Sequence, residues 1–203
     1  MAHEGLWEQL CRLDIAETAR RADCRYHLND SPQFVLTLLN TEYVVNLSDK
    51  KIFSKQRNLS QKPAEFLPQL CLLAYLINAS DVQLANKLVR AETLPGGQFF
   101  FRGLHSLPTK KLEKAFGDNP EILYHTAEHF NAKRCEFGDA SIKLYVLPRL
   151  PLTIVIWGRC EEFDARASIL FDQTAASQLP LDALLAAVNL AVEALINNYD
   201  LKT

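Results

Sequence analysis

Apolar residues recur at helical spacing from His3 to Ala22, where Leu6, Trp7, Leu10, Cys11, Ile15 and Ala19 share one broad face. The pattern then shortens. Phe34 to Leu39 and Tyr43 to Leu47 are β-rich runs separated by Asn40-Thr41-Glu42, the signal of a hairpin. Ser48-Asp49-Lys50 turns the chain toward a short third strand around Ile52-Phe53. A helix opened by Pro63 or Pro68 runs to Ile77. Ser80-x-x-Gln83 then reads as a capping box, with Leu84, Ala85, Leu88 and Val89 continuing at helical spacing. Thr109 caps a short helix carrying Leu112 and Phe116, with Gly117 as its C′ residue, and Asn119-Pro120 starts another that runs to about Lys133. From Asp139 onward the period becomes two: Ile142, Leu144 and Val146 alternate with Lys143 and Tyr145, one face buried and one wet. Thr153 to Trp157 is almost continuously apolar and predicts a central strand, followed by a third over Ala167 to Phe171. Leu181 to Asn197 predicts a long helix with Leu181, Leu184, Leu185, Val188, Val192 and Leu195 in register.

Helix, strands, helices, strands, helix is the order of an α+β fold. The expectation is a mainly antiparallel sheet built from two strand groups, about 33–53 and 139–172, packed with about five to six helices. One sheet is preferred over two, because neither group alone would hide both of its faces. No repeat, low-complexity segment or linker divides the 203 residues, so the reading is one domain over 1–203, with the helix at 3–22 as an addition.

Composition narrows the function classes. With 48% hydrophobic and 23% charged residues the chain reads as globular. A formal net charge of −2, with lysines no denser than the solvated pairs Lys50-Lys51 and Lys110-Lys111, argues against nucleic acid as a partner. The five cysteines form no C-x-x-C pair, so no zinc knuckle or iron–sulfur cluster is encoded locally. Cys11 and Cys71 fall in apolar helical patterns and read as small hydrophobes in a reduced, cytoplasmic protein. The first 14 residues lack the layout of a secretory signal. The uncharged run from Phe66 to Ala79 is shorter than the roughly 20 residues of a membrane span. The expected partner is a small-molecule ligand or another protein, with no membrane and no nucleic acid; the residues name no cofactor and leave the oligomeric state open.

Three constellations carry candidate chemistry. His125-Thr126-Ala127-Glu128-His129 matches H-x-x-E-H, in which two histidines one turn apart bind zinc and a glutamate assists water. The helical phase turns His125 and His129 off the apolar face set by Ile122, Leu123, Thr126, Ala127 and Phe130, so the expectation is an exposed flank, with a metal on the two histidines as the alternative. The second is Leu94 to Pro108, which holds three of the seven glycines and the run Phe99-Phe100-Phe101. No G-K-[ST] follows, so it is not a phosphate loop. It reads as a tight turn feeding a short strand with Phe99 and Phe101 inward, or as a ligand-contacting loop. No G-x-S-x-G surrounds Ser106, which argues against a serine hydrolase. In the third, Asp139, Arg149, Arg159, Glu161, Glu162, Asp164, Arg166 and Asp172 gather at predicted strand ends. They read as ion-pair networks, or, if Glu161, Glu162 or Asp164 points into a cleft beside other carboxylates, as a general acid or base. Stiff backbone beside Arg102, His105 and Arg149 suggests that these three converge with Glu162 on one concave, ligand-binding surface.

Two blocks resemble an uncharacterised prokaryotic family, the domain of unknown function 3786. One is Leu94-Pro95-Gly96-Gly97 through the phenylalanines to Arg102-Gly103-Leu104-His105. The other is Gly138-Asp139-Ala140-Ser141, Leu147-Pro148-Arg149-Leu150-Pro151-Leu152, Ile156-Trp157, Glu161-Glu162-Phe163 and Ile169-Leu170-Phe171-Asp172. With the Leu179-Pro180 helix the likeness covers most of residues 30–200. In the family pattern a further acid precedes the two glutamates; Cys160 takes that place here, which bears on any three-acid chemistry. The resemblance implies anaerobes as the usual source and, in some members, an added cysteine-rich iron–sulfur segment that this sequence does not carry. It implies a recurring domain and supplies no reaction. The leading expectation is a cytoplasmic ligand-binding or accessory domain serving a cofactor or metalloenzyme pathway. Its rival is a hydrolase or lyase-type enzyme using the carboxylates of residues 161–164, with or without a metal at His125 and His129. A third class is a structural partner whose exposed aromatic segment docks on another subunit.

Overall fold

Asp14 divides the first helical pattern in two. Its carboxylate accepts the Glu17 N–H at 2.7 Å, an N-cap that starts α2 (Ile15–Arg21) and separates it from α1 (Glu4–Leu10). Trp7 and Leu10 are buried as the spacing predicts. Cys11 falls past the end of α1 and is exposed, so it is not a core thiol; Cys71 is buried. The structure, a computed structural model, describes residues 3–28, 30–55 and 61–200.

The fold is α+β, and its strands form two antiparallel five-stranded sheets instead of the preferred single one. The first takes β1 (Arg25–His27), β2 (Gln33–Leu38), β3 (Thr41–Asn46), β4 (Lys51–Lys55) and β5 (Gln61–Pro63) in chain order. Leu39 and Asn40, both at positive φ, make the two-residue turn between β2 and β3. The second runs in space as β6 (Leu88–Arg90), β10 (Arg166–Asp172), β9 (Leu150–Trp157), β8 (Ala140–Leu147) and β7 (Lys133–Arg134). The sheets meet at a corner, where the Leu39 N–H donates to the Val146 carbonyl at 3.0 Å. Helices, not a shared sheet, solve the burial problem. α3 (Phe66–Asn78), with Cys71 to Leu76 all buried, packs on α7 (Leu181–Asp200), while α5 (Thr109–Phe116) covers β10 and α6 (Ile122–Ala127) covers β8. One continuous core runs from Trp7 to Leu195. By length and composition α7 could cross a membrane, with a mean hydropathy of 1.3. Here its Leu184, Val188, Val192 and Leu195 are buried in that core.

The chain forms no helix between Ala79 and Lys87, so the Ser80-x-x-Gln83 expectation is wrong. Distant side chains take the donors a helix would use: the Ser80 N–H donates to Gln178 Oε1 at 3.2 Å and the Ala85 N–H to Asp172 Oδ1 at 3.1 Å. Tertiary partners override the local signal, and Leu88 and Val89 enter β6. Gly97–Phe100 is a short helix, α4, not the expected turn into a strand. Its Gly97 carbonyl accepts the Phe101 N–H at 2.9 Å. Helical rotation therefore leaves Phe99 74% exposed while Phe101 packs on Phe171.

Candidate functional site

At the Trp157 end of the second sheet, the connection between β9 and β10 is held by hydrogen bonds that its own main-chain N–H groups donate. The Gly158 N–H donates to the Asp139 carboxylate at 2.7 Å, the Arg159 N–H to the Gly117 carbonyl at 2.8 Å, and the Cys160 N–H to the Phe163 carbonyl at 3.0 Å. Two glycines allow this. Gly138 sits at φ +56°, and a Cβ there would lie 2.7 Å from the Ile156 carbonyl oxygen and 2.9 Å from Val155 Cγ1. Gly117 has ordinary helical φ, so it is not the left-handed cap that its position suggests. It is needed because a Cβ would lie 2.4 Å from that of Ala165. Gly138→Ala combines a left-handed backbone with this crowding and is expected to cost about 1–3 kcal/mol. A lowered thermal midpoint together with a shifted Trp157 emission would show it, and an unchanged melt would contradict it.

These contacts frame a cleft of about 770 Å³ lined by Arg90, Lys110, Glu113, Asp139, Trp157, Cys160, Phe163, Asp164, Arg166, Ala167 and Ser168. The strand register explains the lining. Arg166 pairs with Trp157 and Arg90 with Leu170, and residues two apart share a face, so Arg166, Ser168, Trp157 and Arg90 all point away from the helices. Trp157 is 41% and Phe163 60% exposed. Lys110 is paired with Glu113 at 2.7 Å, and Arg159 with Asp118 at 2.9 Å. The exposed guanidinium groups of Arg90 and Arg166 make no hydrogen bond or ion pair among the described residues. A larger cavity, about 820 Å³, lies on the first sheet among Glu42, Tyr43, Ser54, Lys55, Lys62, Glu65 and His129. Its charges are already matched: Glu42 binds Lys55 and Arg25, which hold its carboxyl below the usual range, and Lys62 meets Glu65. The cleft on the second sheet is therefore the stronger candidate for a charged ligand.

The four residues expected to converge do not. Arg102 and His105 share the segment after α4, where Arg102 lies 6.0 Å over the Phe99 ring and His105 stacks on Phe100 with 4.6 Å between centroids. Arg149 sits in the β8–β9 turn, half-buried, with Nε donating to the Arg21 carbonyl at 2.9 Å and its N–H to the Tyr75 hydroxyl at 3.1 Å. It fastens α2 and α3 to the hairpin. Glu162 follows the other end of β9, an eight-residue strand about 25 Å long, so Arg149 and Glu162 cannot line one surface. Glu161 and Glu162 stand exposed outside the cleft; Asp164 lines it, its side chain 98% accessible and 3.8 Å from Arg159.

His125 and His129 are both exposed. α6 ends at Ala127 and a 3₁₀ turn over Glu128–Phe130 follows, so the regular one-turn spacing of the motif is broken. His125 Nδ1 lies 3.7 Å from Glu128, and His129 meets Phe130 edge-on. No group of three or more His, Cys, Asp or Glu suited to a metal occurs among the described residues.

Arg90 is the functional candidate that the sequence hides: it follows a stretch whose spacing reads as helix, and β6 is only three residues long. Trp157 and Phe163 had a signal, being large aromatics at the end of an apolar strand and inside an acidic loop.

No curated protein and no solved structure matches the chain. A family model does, over residues 14–194, which takes in α2 and every strand together with the Gly138, Trp157 and Arg166 framework of the cleft. The chain therefore belongs to the family described as a domain of unknown function, DUF3786.

Proposed function

We propose that this protein is a cytoplasmic accessory domain whose cleft at the Trp157 end of the second sheet binds a ligand carrying an acidic group and a flat apolar part. One juxtaposition supports the reading: two unpaired arginines, Arg90 and Arg166, on the same sheet face as the exposed Trp157, with Phe163 across the cleft. A guanidinium is a rigid fork of donors matched to carboxylate or phosphate, and an exposed indole offers a stacking face. Service to a cofactor or metalloenzyme pathway, implied by the family resemblance, fits a domain that holds an acidic compound without transforming it. The hydrolase or lyase alternative needs buried carboxylates, and Glu161, Glu162 and Asp164 stand in solvent.

Acrylamide quenching tests the proposal, because Trp157 is open to solvent and Trp7 is 1% exposed. Phenyl phosphate is expected to shield Trp157 along a saturating curve in the micromolar-to-millimolar range. Phenol should be about tenfold weaker or more, and Arg166→Gln should abolish the difference between the two. Quenching that phenyl phosphate leaves unchanged would overturn the assignment.

A further inference from the structure

We infer that the ligand of the cleft is a nucleoside diphosphate whose base carries an amino group; the inference rests on the acid-binding reading of the cleft and names its occupant. The order of chemical groups along β10 carries it. Arg166 opens the strand opposite Trp157, and as cross-strand partners their Cβ atoms lie about 4.5–5.5 Å apart. Ser168 follows on the same face. Arg90 stands opposite Leu170, four residues past Arg166, and so about 13 Å further along the strand direction. The two unpaired acids of the cleft lie at the other end. Asp139 precedes β8 beside the end of β9, and Asp164 precedes β10. The cleft therefore presents carboxylates first, then an aromatic face beside a guanidinium, then a hydroxyl and a second guanidinium.

A matching compound has a hydrogen-bond donor, a flat ring and more than one anionic group in a row. A single phosphoryl group draws Arg90 and Arg166 to one point midway between them, with both side chains near full stretch. Two phosphoryl groups in line give each guanidinium its own pair of oxygens. The Ser168 hydroxyl, half-buried and without a hydrogen-bond partner among the described residues, is placed to donate to the same group. Lys110 and Glu113 neutralise each other and do not oppose the charge.

The aromatic end suits a nucleobase. Trp157 and Phe163 both bring exposed rings to the cleft, and a base offers two faces for stacking. Asp139 keeps one carboxylate oxygen free while the other accepts the Gly158 N–H, and the Asp164 side chain is 98% accessible. Each is an acceptor for an exocyclic amino group, the pairing that acidic side chains make with cytosine N4. Acids at the base end also stand clear of the phosphates. At about 770 Å³ the cleft falls in the upper part of the range for small-molecule sites, about 300–1,000 Å³, which leaves a simple aromatic acid much space unfilled.

Calorimetric titration of the full chain with ADP, AMP, adenosine and inosine diphosphate, with a chelator present so that no divalent cation intervenes, tests this. ADP is expected to bind about tenfold or more tighter than AMP, with adenosine weakest. Inosine diphosphate, with a carbonyl in place of the amino group, should bind several-fold more weakly than ADP. Arg90→Gln should remove most of the ratio between ADP and AMP, and Arg166→Gln should weaken both. Both arginines are exposed, so these variants are expected to melt like the parent. If phenyl phosphate shields Trp157 but ADP binds no tighter than AMP, the cleft assignment stands and the diphosphate is overturned. A ratio that survives Arg90→Gln overturns it as well, and inosine diphosphate binding as tightly as ADP overturns the amino group. If neither phenyl phosphate nor ADP binds, both readings fall.

Discussion

Val188→Asp is expected to abolish the folded domain. Val188 is fully buried midway along α7, between the equally buried Leu184 and Val192, in the core that α7 shares with α3. An aspartate there must either ionise inside an apolar interior or take up a proton, and either route costs several kcal/mol on top of the lost packing. That is comparable with the whole stability of a domain of this size, about 5–15 kcal/mol. The cooperative thermal transition followed by circular dichroism should therefore vanish. Val188→Ala removes the same methyl groups without a charge, should cost about 1–3 kcal/mol and should still fold. A Val188→Asp protein that melts like its parent would place α7 outside the core.

The helix carrying Val188 was legible because its signal is redundant: apolar residues return at the same phase through five turns, and no tertiary contact has to be known to read them. β8 was legible from its period of two and β9 from a nearly unbroken apolar run, both sustained over eight residues in the fold. Short elements were decided by distant partners. The stretch from Ser80 has a good local capping pattern, yet its donors go to Gln178 and Asp172, roughly ninety residues away in sequence. Gly97–Phe100 is a single helical turn, too brief for a periodic signal to separate it from a strand.

The site failed to read through for a related reason. Stiff backbone beside Arg149 reads, in the sequence, as the mark of a presented ligand group. In the fold the same stiffness aims Arg149 back at the Arg21 carbonyl, a structural contact. The distance along β9 from Arg149 to Glu162 depends only on strand length, and the apolar run Thr153 to Trp157 itself predicts the strand. Residues flanking a strand lie at its opposite ends, and that alone separates Arg149 from Glu162. The pairing of β6 with β10, which brings Arg90 beside the cleft, has no local signal at all.

That pairing rests on Asp172, and the largest pH effect is expected there. Asp172 is 4% exposed, and its Oδ1 accepts the Thr174 hydroxyl at 2.7 Å, the Thr174 N–H at 3.0 Å and the Ala85 N–H at 3.1 Å. Burial pushes its pKa up, but these hydrogen bonds and one from the Asn86 N–H together outweigh it and hold the carboxyl below the usual range. The folded state therefore binds the proton more weakly than the unfolded chain, whose aspartate titrates near 3.9. The stabilisation is complete above that value and is lost as pH falls through the lower, folded one. Asp172→Asn keeps the shape but replaces a charged acceptor with a neutral amide whose NH₂ competes with the donors. It is expected to cost about 2 kcal/mol near neutral pH. The stability gap between parent and variant, measured by urea unfolding, should stay level from about pH 8 to pH 5 and close progressively below about pH 4. A gap that persists undiminished into strong acid would show that the ionised form is not what the clasp recognises. Faster exchange of the Ala85 and Asn86 amides in the variant would place the loss at the segment leading into β6. Because Arg90 ends that strand, the same variant should weaken phenyl phosphate binding without altering any residue of the cleft.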